Sequence, residues 1–403
     1  MKDKLLCQGY VRPDGSKGIR NKVLVIYTVE CCRALSERIA RHFQELGQDV
    51  EAVGTSSCLD NQADIRRLLR FSTHPNVGAV LAIGHGCEYT KPQKIAEFAR
   101  QRGRESQWFY QQEAGGSVKG YDKGLEIVRE LLKKLEATPR EPMYLSELVL
   151  AGECGGSDFT SGLAGNALIG RVFDRLVDAG GTAIFEELCE GLGLKEYLAA
   201  RAATPRVADD IRRAYDKTME FCVKYGHFSI APGNMDGGLT TIEEKSMGAM
   251  VKSGTRPIRG VLKIAQAKKP GLYLLDTTPD EKLEPAHHEA ADPSDMLDLI
   301  ACGAHIVFLV TGRGHVVGTP VSPVIKVTGN PRPYGRMKDD IDFCAAPALT
   351  GDRSLDDLSD DLLELVSRVA QGERTNAERL GHREGILYFN YQDPEKVPCE
   401  WHF

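Results

Sequence analysis

The chain has 403 residues, of which 42% are hydrophobic and 27% charged, and its formal net charge is −6. This composition is typical of a globular protein large enough for two domains, and it excludes a disordered chain. No Lys- or Arg-rich block is present, so we expect no nucleic-acid partner. No signal-peptide pattern or membrane-spanning apolar run occurs, so we expect a cytoplasmic protein without a membrane partner.

Strand and helix patterns alternate through the first part of the chain. Apolar, β-branched runs predict strands at 22–29, 48–55, 77–84 and 105–112, and helical spacing of apolar residues predicts helices at 32–46, 61–72, 91–103 and 119–137. Repeated strand–helix units of this length predict a parallel sheet with right-handed crossovers. Proline and charge in TPREPM, residues 138–143, then predict a domain boundary.

A second α/β region follows that boundary. Strands are predicted at 144–152, 182–188, 258–265, 271–277, 304–312 and 322–329, and helices at 163–179, 195–225, 242–252, 294–302 and 355–371. A capping box from Thr375 to Glu378 predicts a further short helix. The predicted fold class is therefore α/β, with a parallel-sheet N-terminal domain at 1–142 and a second α/β domain at 143–403.

Several of the 11 cysteines lie directly after predicted strands. They are Cys31, Cys32, Cys58, Cys87 and Cys154. An odd number of cysteines in a large chain favours reduced thiols or thiolate ligands over disulfides. Because α/β sheets bind ligands at the carboxyl ends of their strands, these thiols are candidate ligands for Fe²⁺, zinc or an iron–sulfur cluster, with His85 as an added imidazole. The alternative is that each cysteine packs as an ordinary core residue.

A glycine-rich turn in APGNMDGGLTTIEEKSMG precedes a predicted helix. A capping box starting at Thr240 or Thr241 would open this helix, and Gly254 is a candidate for its C-terminal cap. Free N–H groups at the helix start would bind a substrate carboxylate. Lys245 in the first turn would add a positive charge or act as a base. The alternative is a solvated helix start.

Two further segments carry charged residues after strand patterns. TGRGHVVG misses the G-x-G-x-x-G spacing and is followed by two prolines, so a dinucleotide site is excluded, and Arg313 is a candidate carboxylate clamp. KDDIDFC, residues 338–344, places Asp340 beside Asp342, which suits proton transfer or a hard metal. An exposed acidic turn is the alternative for this second segment.

Seven motifs in order resemble the altronate/galactarate dehydratase family, which includes the large subunit of sulfolactate sulfo-lyase. They are GYVRPDGSKGIRN, ECGGSD, APGNMDGGLTTIEEKSMG, LLDTTP, TGRGHVVGTPVSPVIKVTGN, DDID and GERTNAERLGHRE, within about residues 8 to 385. The resemblance implies a lyase for a small hydroxy acid that depends on Fe²⁺ or Mn²⁺. Such an enzyme removes the proton α to a carboxylate and expels the β-hydroxyl, which leaves a 2-keto-3-deoxy acid.

Position by position, the resemblance and this chemistry imply three sets of site residues. The metal ligands would be Cys58, Cys87, Cys154 and His85. Substrate would be bound by Arg12, Arg20, Asn21, Ser157, Asp158, Asn234 and Arg313, and the catalytic residues would be Lys245, Asp340 and Asp342. The chain departs from the family at Cys32, around Cys58, and at Glu153, which replaces a glutamine.

The resemblance leaves three functions open. The first is a metal-dependent hydro-lyase that dehydrates a sugar acid, either an aldonate or an aldarate. The second is a carbon–sulfur lyase of the sulfolactate type, and the third is a non-catalytic iron or iron–sulfur binding protein. Many relatives have a small β-rich N-terminal domain for which this sequence shows no pattern, so we expect a separate small subunit. From size and class we also expect a homo-oligomer.

Overall fold

The computed structural model describes residues 4–56, 58, 62–225, 232–278, 283–284, 291–384 and 391–392. The chain divides into two compact units. The unit that we call N-terminal contains Gln8–Glu141, Pro279–Glu289 and Gly385–Phe403, and the C-terminal unit contains Met1–Cys7, Pro142–Thr278 and Ala290–Glu384. The predicted domain boundary at 142/143 falls beside one change of unit, but neither unit is a single continuous segment.

Sixteen strands and fourteen helices occur among the described residues. The strands are β1 Leu5–Val11, β2 Lys17–Gly18, β3 Lys22–Tyr27, β4 Val50–Gly54, β5 Val77–Gly84, β6 Glu105–Tyr110, β7 Arg140–Tyr144, β8 Val149–Cys154, β9 Thr182–Phe185, β10 Ile258–Leu262, β11 Gly271–Leu275, β12 Leu283–Glu284, β13 Ile306–Val310, β14 Val324–Thr328, β15 Phe343–Cys344 and β16 Tyr391–Gln392. The helices are α1 Arg33–Glu45, α2 Gln62–Ser72, α3 Pro92–Gln101, α4 Gly116–Leu135, α5 Ala167–Asp178, α6 Lys195–Ala200, α7 Pro205–Tyr225, α8 Pro232–Asp236, α9 Ile242–Met250, α10 Asp292–Ala301, α11 Pro331–Arg336, α12 Pro347–Thr350, α13 Leu355–Ala370 and α14 Asn376–Leu380.

A four-stranded parallel sheet, in the order β4-β3-β5-β6, forms the centre of the N-terminal unit. Helices α1 and α4 bury their apolar stripes in one core cluster with the strands, and the helix members of that cluster include Leu35, Ile39, Phe43, Val128 and Leu131. Their three- and four-residue spacing is the pattern that predicted the helices. The predicted alternation of strand and helix and the parallel sheet are therefore confirmed.

The C-terminal unit is built on a seven-stranded sheet in the order β10-β11-β9-β8-β13-β14-β15, and all of its paired strands are parallel. The strands β9 and β11 follow β8 in the chain and lie on one side of it. The later strands β13 and β14 lie on the other side of β8. The strand order reverses between β8 and β13. Ligands of open α/β sheets bind at the carboxyl ends of the strands at such a switch point.

One predicted helix is wrong in extent. The segment 195–225 forms two helices, α6 and α7, instead of one. Pro205 opens α7, and the residue before a proline disfavours the helical conformation, so the helix is interrupted by turns and bends at 201–204. There Thr204 accepts a hydrogen bond from the Val207 N–H at 3.3 Å, and Ala202 forms a bridge with Ile258.

The described helices also bear on the membrane prediction. None of them combines the length and apolar character that are needed to cross a bilayer.

Candidate active site

Polar residues of the C-terminal unit converge at the strand switch point. Cys154 is the last residue of β8 and is only 3% exposed. Glu186 and Glu187 directly follow the neighbouring strand β9, and Thr311 and Arg313 follow β13 on the other side. Because these strands are parallel neighbours, their carboxyl ends bring all five residues to one edge of the sheet.

Cys154 lies among buried charged groups. Its Sγ is 3.0 Å from Glu187 Oε1, 3.7 Å from Glu190 Oε2 and 3.2 Å from Lys252 Nζ. Lys252 is completely buried and forms an ion pair with Glu187. Among the described residues, Glu187 is the only non-glycine with positive φ, at 75°. Such strained backbone is found preferentially at functional sites, where it holds a side chain in place.

Lys245 connects this cluster to the turn after β8. Its Nζ is 2.7 Å from Glu190 Oε1 and donates to Ser157 Oγ at 3.0 Å. Thr241 caps α9 by accepting from the Glu244 N–H at 3.2 Å, which confirms the second of the two predicted capping positions. Burial is the largest single influence and would lower the pKa of Lys245, but the charges of Glu190, Cys154 and Asp292 together with the hydrogen bond to Glu190 raise it, so the side chain is an ammonium ion at neutral pH.

Glu153 and Glu186 form a second buried pair at the same edge. Their carboxylate oxygens lie within 4.8 Å of each other, and burial raises the pKa of both, with mutual repulsion adding to the effect on Glu153. Two buried carboxyl groups this close keep a proton more readily than either would in water. Glu153 Oε2 and Glu186 Oε1 have no hydrogen-bond partner among the described residues.

The predicted substrate-binding residues of the C-terminal unit lie near one another. Asp158 Oδ1 accepts from the Thr160 N–H at 2.8 Å, and Asp158 Oδ2 accepts from Asn330 Nδ2 at 2.8 Å, so this carboxylate organises its own turn. A Cβ placed on Gly237 would lie 3.1 Å from Arg313 Cδ and 3.2 Å from Asp158 Cβ. The loop that carries Arg313 therefore packs against both the Asp158 turn and the end of α8.

Asn234 and Ser157 complete this group of predicted substrate-binding residues. Asn234 lies in α8 and is 8% exposed, and its carbonyl accepts from the Leu239 N–H at 3.2 Å. Ser157 contacts Lys245, as described above. Their predicted contact with substrate stays a prediction.

Asp340 and Asp342 have contacts of a different kind. Asp342 is half-buried, and its two oxygens accept the backbone N–H groups of Lys326 and Asn376, each at 2.8 Å. This carboxylate therefore links β14 to α14. Asp340 Oδ1 lies 4.0 Å from His382 Nε2. Neither aspartate has a hydrogen bond or ion pair with Lys245 or Cys154, so their predicted role in proton transfer receives no support from these contacts.

In the N-terminal unit, the predicted substrate-binding residues hold the fold together. Arg12 is buried and donates to Pro75 O at 2.7 Å, Asn21 Oδ1 at 2.8 Å and Arg20 O at 3.0 Å. Asn21 Nδ2 also donates to Thr138 Oγ1 at 3.1 Å. Each of these contacts lies within the unit, and the expectation that these residues grip the acid stays a prediction.

The predicted metal ligands of the N-terminal unit lie after β4 and β5. Cys58 and Cys87 are exposed, and the Tyr89 N–H donates to Cys58 O at 3.1 Å, so the two loops adjoin. The Glu88 carboxylate accepts the N–H groups of His85, Gly86 and Cys87 at 3.0, 2.8 and 3.1 Å. The chain thus supplies its own anion to the amide groups of this turn.

Two groups of three potential metal ligands occur among the described residues, and both are in the C-terminal unit. They are Cys154 with Glu187 and Glu190, and Glu153 with Glu186 and Glu187, with ligand atoms that lie within 4.8 Å of one another in each group. One sulfur and two carboxylates suit Fe²⁺ or zinc. Neither group includes His85, Cys58 or Cys87, so their role as ligands stays a prediction.

Sequence analysis missed Glu186, Glu187, Glu190 and Lys252. A signal for the first two was available. Glu186 and Glu187 stand near the C-terminal end of the strand pattern TAIFEEL, and Cys154 has the same position in LVLAGEC. Lys252 had no such signal, since it meets Cys154 across 98 residues of sequence.

Comparison with known proteins places most of the chain in one family. The model described as D-galactarate/altronate dehydratase, C-terminal, matches residues 145–392, and the model described as D-galactarate dehydratase/altronate hydrolase, second domain, matches residues 9–136.

Curated relatives match over nearly the whole chain. The (2R)-sulfolactate sulfo-lyase subunit beta of Chromohalobacter salexigens is 32% identical over 393 residues, which is 95% of this chain and 97% of the relative. The altronate dehydratase of Bacillus subtilis is 29% identical over 396 residues, and that of Escherichia coli is 28% identical over 400 residues. Each of these two alignments covers 94% of this chain and 77% of the relative.

Proposed function

The chain belongs to the D-galactarate/altronate dehydratase family, and from this premise we propose that it is a metal-dependent hydro-lyase that dehydrates a sugar acid to a 2-keto-3-deoxy acid. Relatives named as dehydratases and as a sulfo-lyase make the chain a lyase. The observation that carries the proposal is the buried cluster around Cys154, where two lysines and several carboxyl groups meet at the strand switch point.

The proton α to a carboxylate is very weakly acidic, so the site must stabilise the negative charge that develops when it leaves. The Lys245 ammonium, held by Glu190 and Ser157, is a preorganised donor for this charge. Burial inside the cluster strengthens that interaction, because little water screens it. This environment supports a role for Lys245 as a charge rather than as a base.

The departing hydroxyl group needs a proton. The pair of Glu153 and Glu186, buried close together with raised pKa values, would hold one within the same edge of the sheet, which suits general-acid catalysis. Because Glu186 Oε2 also accepts the N–H of Glu187, the pair is tied to the loop that contacts Cys154.

We place a divalent metal, Fe²⁺ or Mn²⁺, at Cys154, Glu187 and Glu190. Their buried sulfur and carboxylate donors suit such an ion, and an iron–sulfur cluster is the alternative for a cysteine-containing site. When bound, a divalent metal polarises substrate oxygens as a Lewis acid. Lys252 holds the Cys154 sulfur and the Glu187 carboxylate in one place, and it offsets part of their charge.

A second candidate is a carbon–sulfur lyase that expels sulfite from the β-carbon instead of hydroxide. Its support is that the sulfolactate relative is covered over 97% of its length, compared with 77% for the altronate dehydratases. That relative is named as a subunit, so we also propose a separate small partner subunit. A homo-oligomer and a cytoplasmic location remain part of the proposal.

The test is a substrate panel with the full chain, purified anaerobically and supplied with Fe²⁺. Aldonates, aldarates and sulfolactate are incubated with the enzyme, and 2-keto acid and sulfite are measured. Release of keto acid from a sugar acid supports the hydro-lyase, and sulfite release supports the second candidate. If neither product forms with iron and a small subunit present, both reactions are wrong, and a non-catalytic iron protein becomes the better explanation.

A further inference from the structure

We propose that a pocket beside the Cys154 cluster binds the far end of the substrate and, among sugar acids, selects one whose outer carbons are deoxygenated over one that is hydroxylated to its last carbon. The inference rests on the proposed function for what happens at the acid end. The pocket has a volume of about 230 Å³ and lies between the loop and π-helix at 157–166 and helix α9. All of its lining residues belong to the C-terminal unit.

The walls of this pocket are mainly apolar. Phe159, Leu163 and Met247 line it and are 45%, 64% and 47% exposed, and Leu239 lines it from a buried position. Three large exposed apolar side chains around one pocket are unusual for a soluble surface unless they meet a ligand or partner. A hydrocarbon tail would cover these side chains and remove them from water.

The inner end of the pocket is polar and leads to the proposed reaction site. Lys245 and Ser157 both line the pocket, and Lys245 also contacts Glu190 of the Cys154 cluster. A carboxylate at this inner end would interact with the ammonium, which orients the rest of the molecule toward Phe159 and Met247. One substrate molecule can therefore meet both the charged cluster and the apolar walls.

Asn166 provides an independent sign that a ligand enters. It lines the pocket and is 1% exposed, and its Nδ2 donates to Gly248 O at 2.8 Å, whereas its Oδ1 has no partner among the described residues. A buried amide oxygen without a donor is costly, so a ligand hydroxyl is the expected partner. The two carboxylate oxygens of Asp158 are already occupied by Thr160 and Asn330.

These contacts define a class of substrate. Asn166 and the Lys245 end can satisfy one hydroxyl and one carboxylate, but the apolar walls offer no partners for hydroxyl groups on every outer carbon. A fully hydroxylated tail would give up hydrogen bonds to water without replacement. We therefore assign a deoxy sugar acid, that is, a 2,3-dihydroxy acid whose outer carbons carry hydrogen in place of hydroxyl.

The reaction of this class balances without any other reactant. An acid R–CHOH–CHOH–CO₂⁻ loses its α-proton and its β-hydroxide as one water molecule. The resulting enol takes up a proton at the β-carbon and gives up its hydroxyl proton, which yields R–CH₂–CO–CO₂⁻. The tail R takes no part in the chemistry and serves only for recognition.

Calorimetric binding of two acid series to the full-length, metal-loaded Glu153→Gln variant, which lacks a proposed general acid and so should not turn over either series, tests the inference. The first series runs from lactate to 2-hydroxyhexanoate, and the second contains aldonates of matching carbon number. We expect affinity to rise about fourfold for each added methylene in the first series, from the transfer free energy of a buried CH₂. Affinity should stay flat or fall along the aldonates.

Two variants test whether the rise in affinity along the first series arises in this pocket. The double change Leu163→Ser with Met247→Ser should flatten the alkyl series, whereas Val118→Ser, at an exposed apolar residue of the N-terminal unit, should leave it intact. Equal slopes for the two series, or affinity that rises with hydroxylation, would overturn the inference. Intact alkyl selectivity without formation of any keto acid by the wild-type enzyme would instead refute the proposed function and leave the pocket assignment standing.

Discussion

The carboxyl edges of the two parallel sheets both carry cysteines directly after strands, yet they differ in burial and charge. In the N-terminal unit, Cys58 and Cys87 are exposed, and the backbone amides beside Cys87 bind the chain's own Glu88. In the C-terminal unit, Cys154 is buried against Glu187 and a buried lysine. The same sequence signal therefore leads to two different chemical environments, and the groups brought in by tertiary packing make the difference.

The C-terminal edge concentrates charge where water cannot reach. Buried ion pairs are costly to desolvate and destabilise a fold severely when one partner is lost, so they rarely serve stability alone. The N-terminal edge also holds buried charge, namely the ion pair of Arg67 with Asp64 at 3.1 Å and the Glu88 carboxylate, but there Glu88 accepts from neutral donors such as Thr28 Oγ1 at 2.8 Å. We infer that reactivity is concentrated at the C-terminal edge, and the following predictions test this contrast.

The largest expected effect is loss of metal from Cys154→Ala. Removing the sulfur of the Cys154, Glu187 and Glu190 group should abolish metal retention and turnover while the fold persists. Metal content by mass spectrometry, together with circular dichroism, checks this. Cys222→Ala, at another buried cysteine of the same unit, is the matched control. Full metal content in Cys154→Ala, with loss in Cys87→Ala, would move the centre to the N-terminal edge.

Lys252→Met should destabilise the protein next most strongly. The change leaves Cys154 and Glu187 buried without their neighbouring cation, and breaking a buried ion pair in this way costs about 3–5 kcal/mol. The free energy of unfolding of the C-terminal unit, measured in urea, should fall by that amount. The exposed pair of Lys134 and Glu105 in the N-terminal unit offers the comparison, because Lys134→Met should cost only about 0–1 kcal/mol. Similar losses in both variants would show that the buried ion pair of Lys252 contributes no more to stability than an exposed pair does.

Lys245→Met should lower kcat by about 10²–10³-fold, which is the usual effect of removing a donor that stabilises transition-state charge. KM should also rise, because the same ammonium is proposed to hold the substrate carboxylate, whereas a rise in KM without a fall in kcat would leave Lys245 no role in the transition state. Steady-state kinetics on a substrate that the enzyme converts measures kcat and KM separately. Glu243→Gln, at an exposed residue of the same helix turn, is the control and should keep both constants.

The Glu153 and Glu186 pair should make stability depend on pH. Burial raises the pKa of both groups, so the folded protein binds their protons more tightly than the unfolded chain does. Their stabilising effect is present at low pH and is lost as the pH rises above the ordinary carboxyl value of 4.5 toward the folded pKa.

Glu153→Gln mimics the protonated acid and should weaken this dependence. Relative to the variant, the wild-type free energy of unfolding should fall by about 1–3 kcal/mol as the pH rises through that window. Urea titrations at several pH values measure the difference. A constant difference across the window would show that the pair does not share a proton.

The two regions also differ in how far sequence predicts them. The strand and helix alternation of the N-terminal unit follows from apolar periodicity and is confirmed, and the position of Cys154 at a strand end follows from the same reasoning. The pairing of Cys154 with Lys252 spans 98 residues and depends on how α5 and the chain after α9 pack. The break before Pro205 did have a sequence signal, because a proline inside a helical pattern ends one helix and can open the next.

The smallest expected effect contrasts helix starts in the two units. Thr375 caps α14 by accepting from the Glu378 N–H at 3.3 Å, and the Glu378 side chain accepts from the Thr375 N–H at 3.0 Å. Thr375→Ala should therefore lower the free energy of unfolding by about 1 kcal/mol. In the N-terminal unit, Lys91 begins α3 without a side-chain cap, so Lys91→Ala removes no such bond and should leave that free energy nearly unchanged. Equal losses in urea titrations of the two variants would show that the capping box of α14 contributes nothing beyond an ordinary helix start.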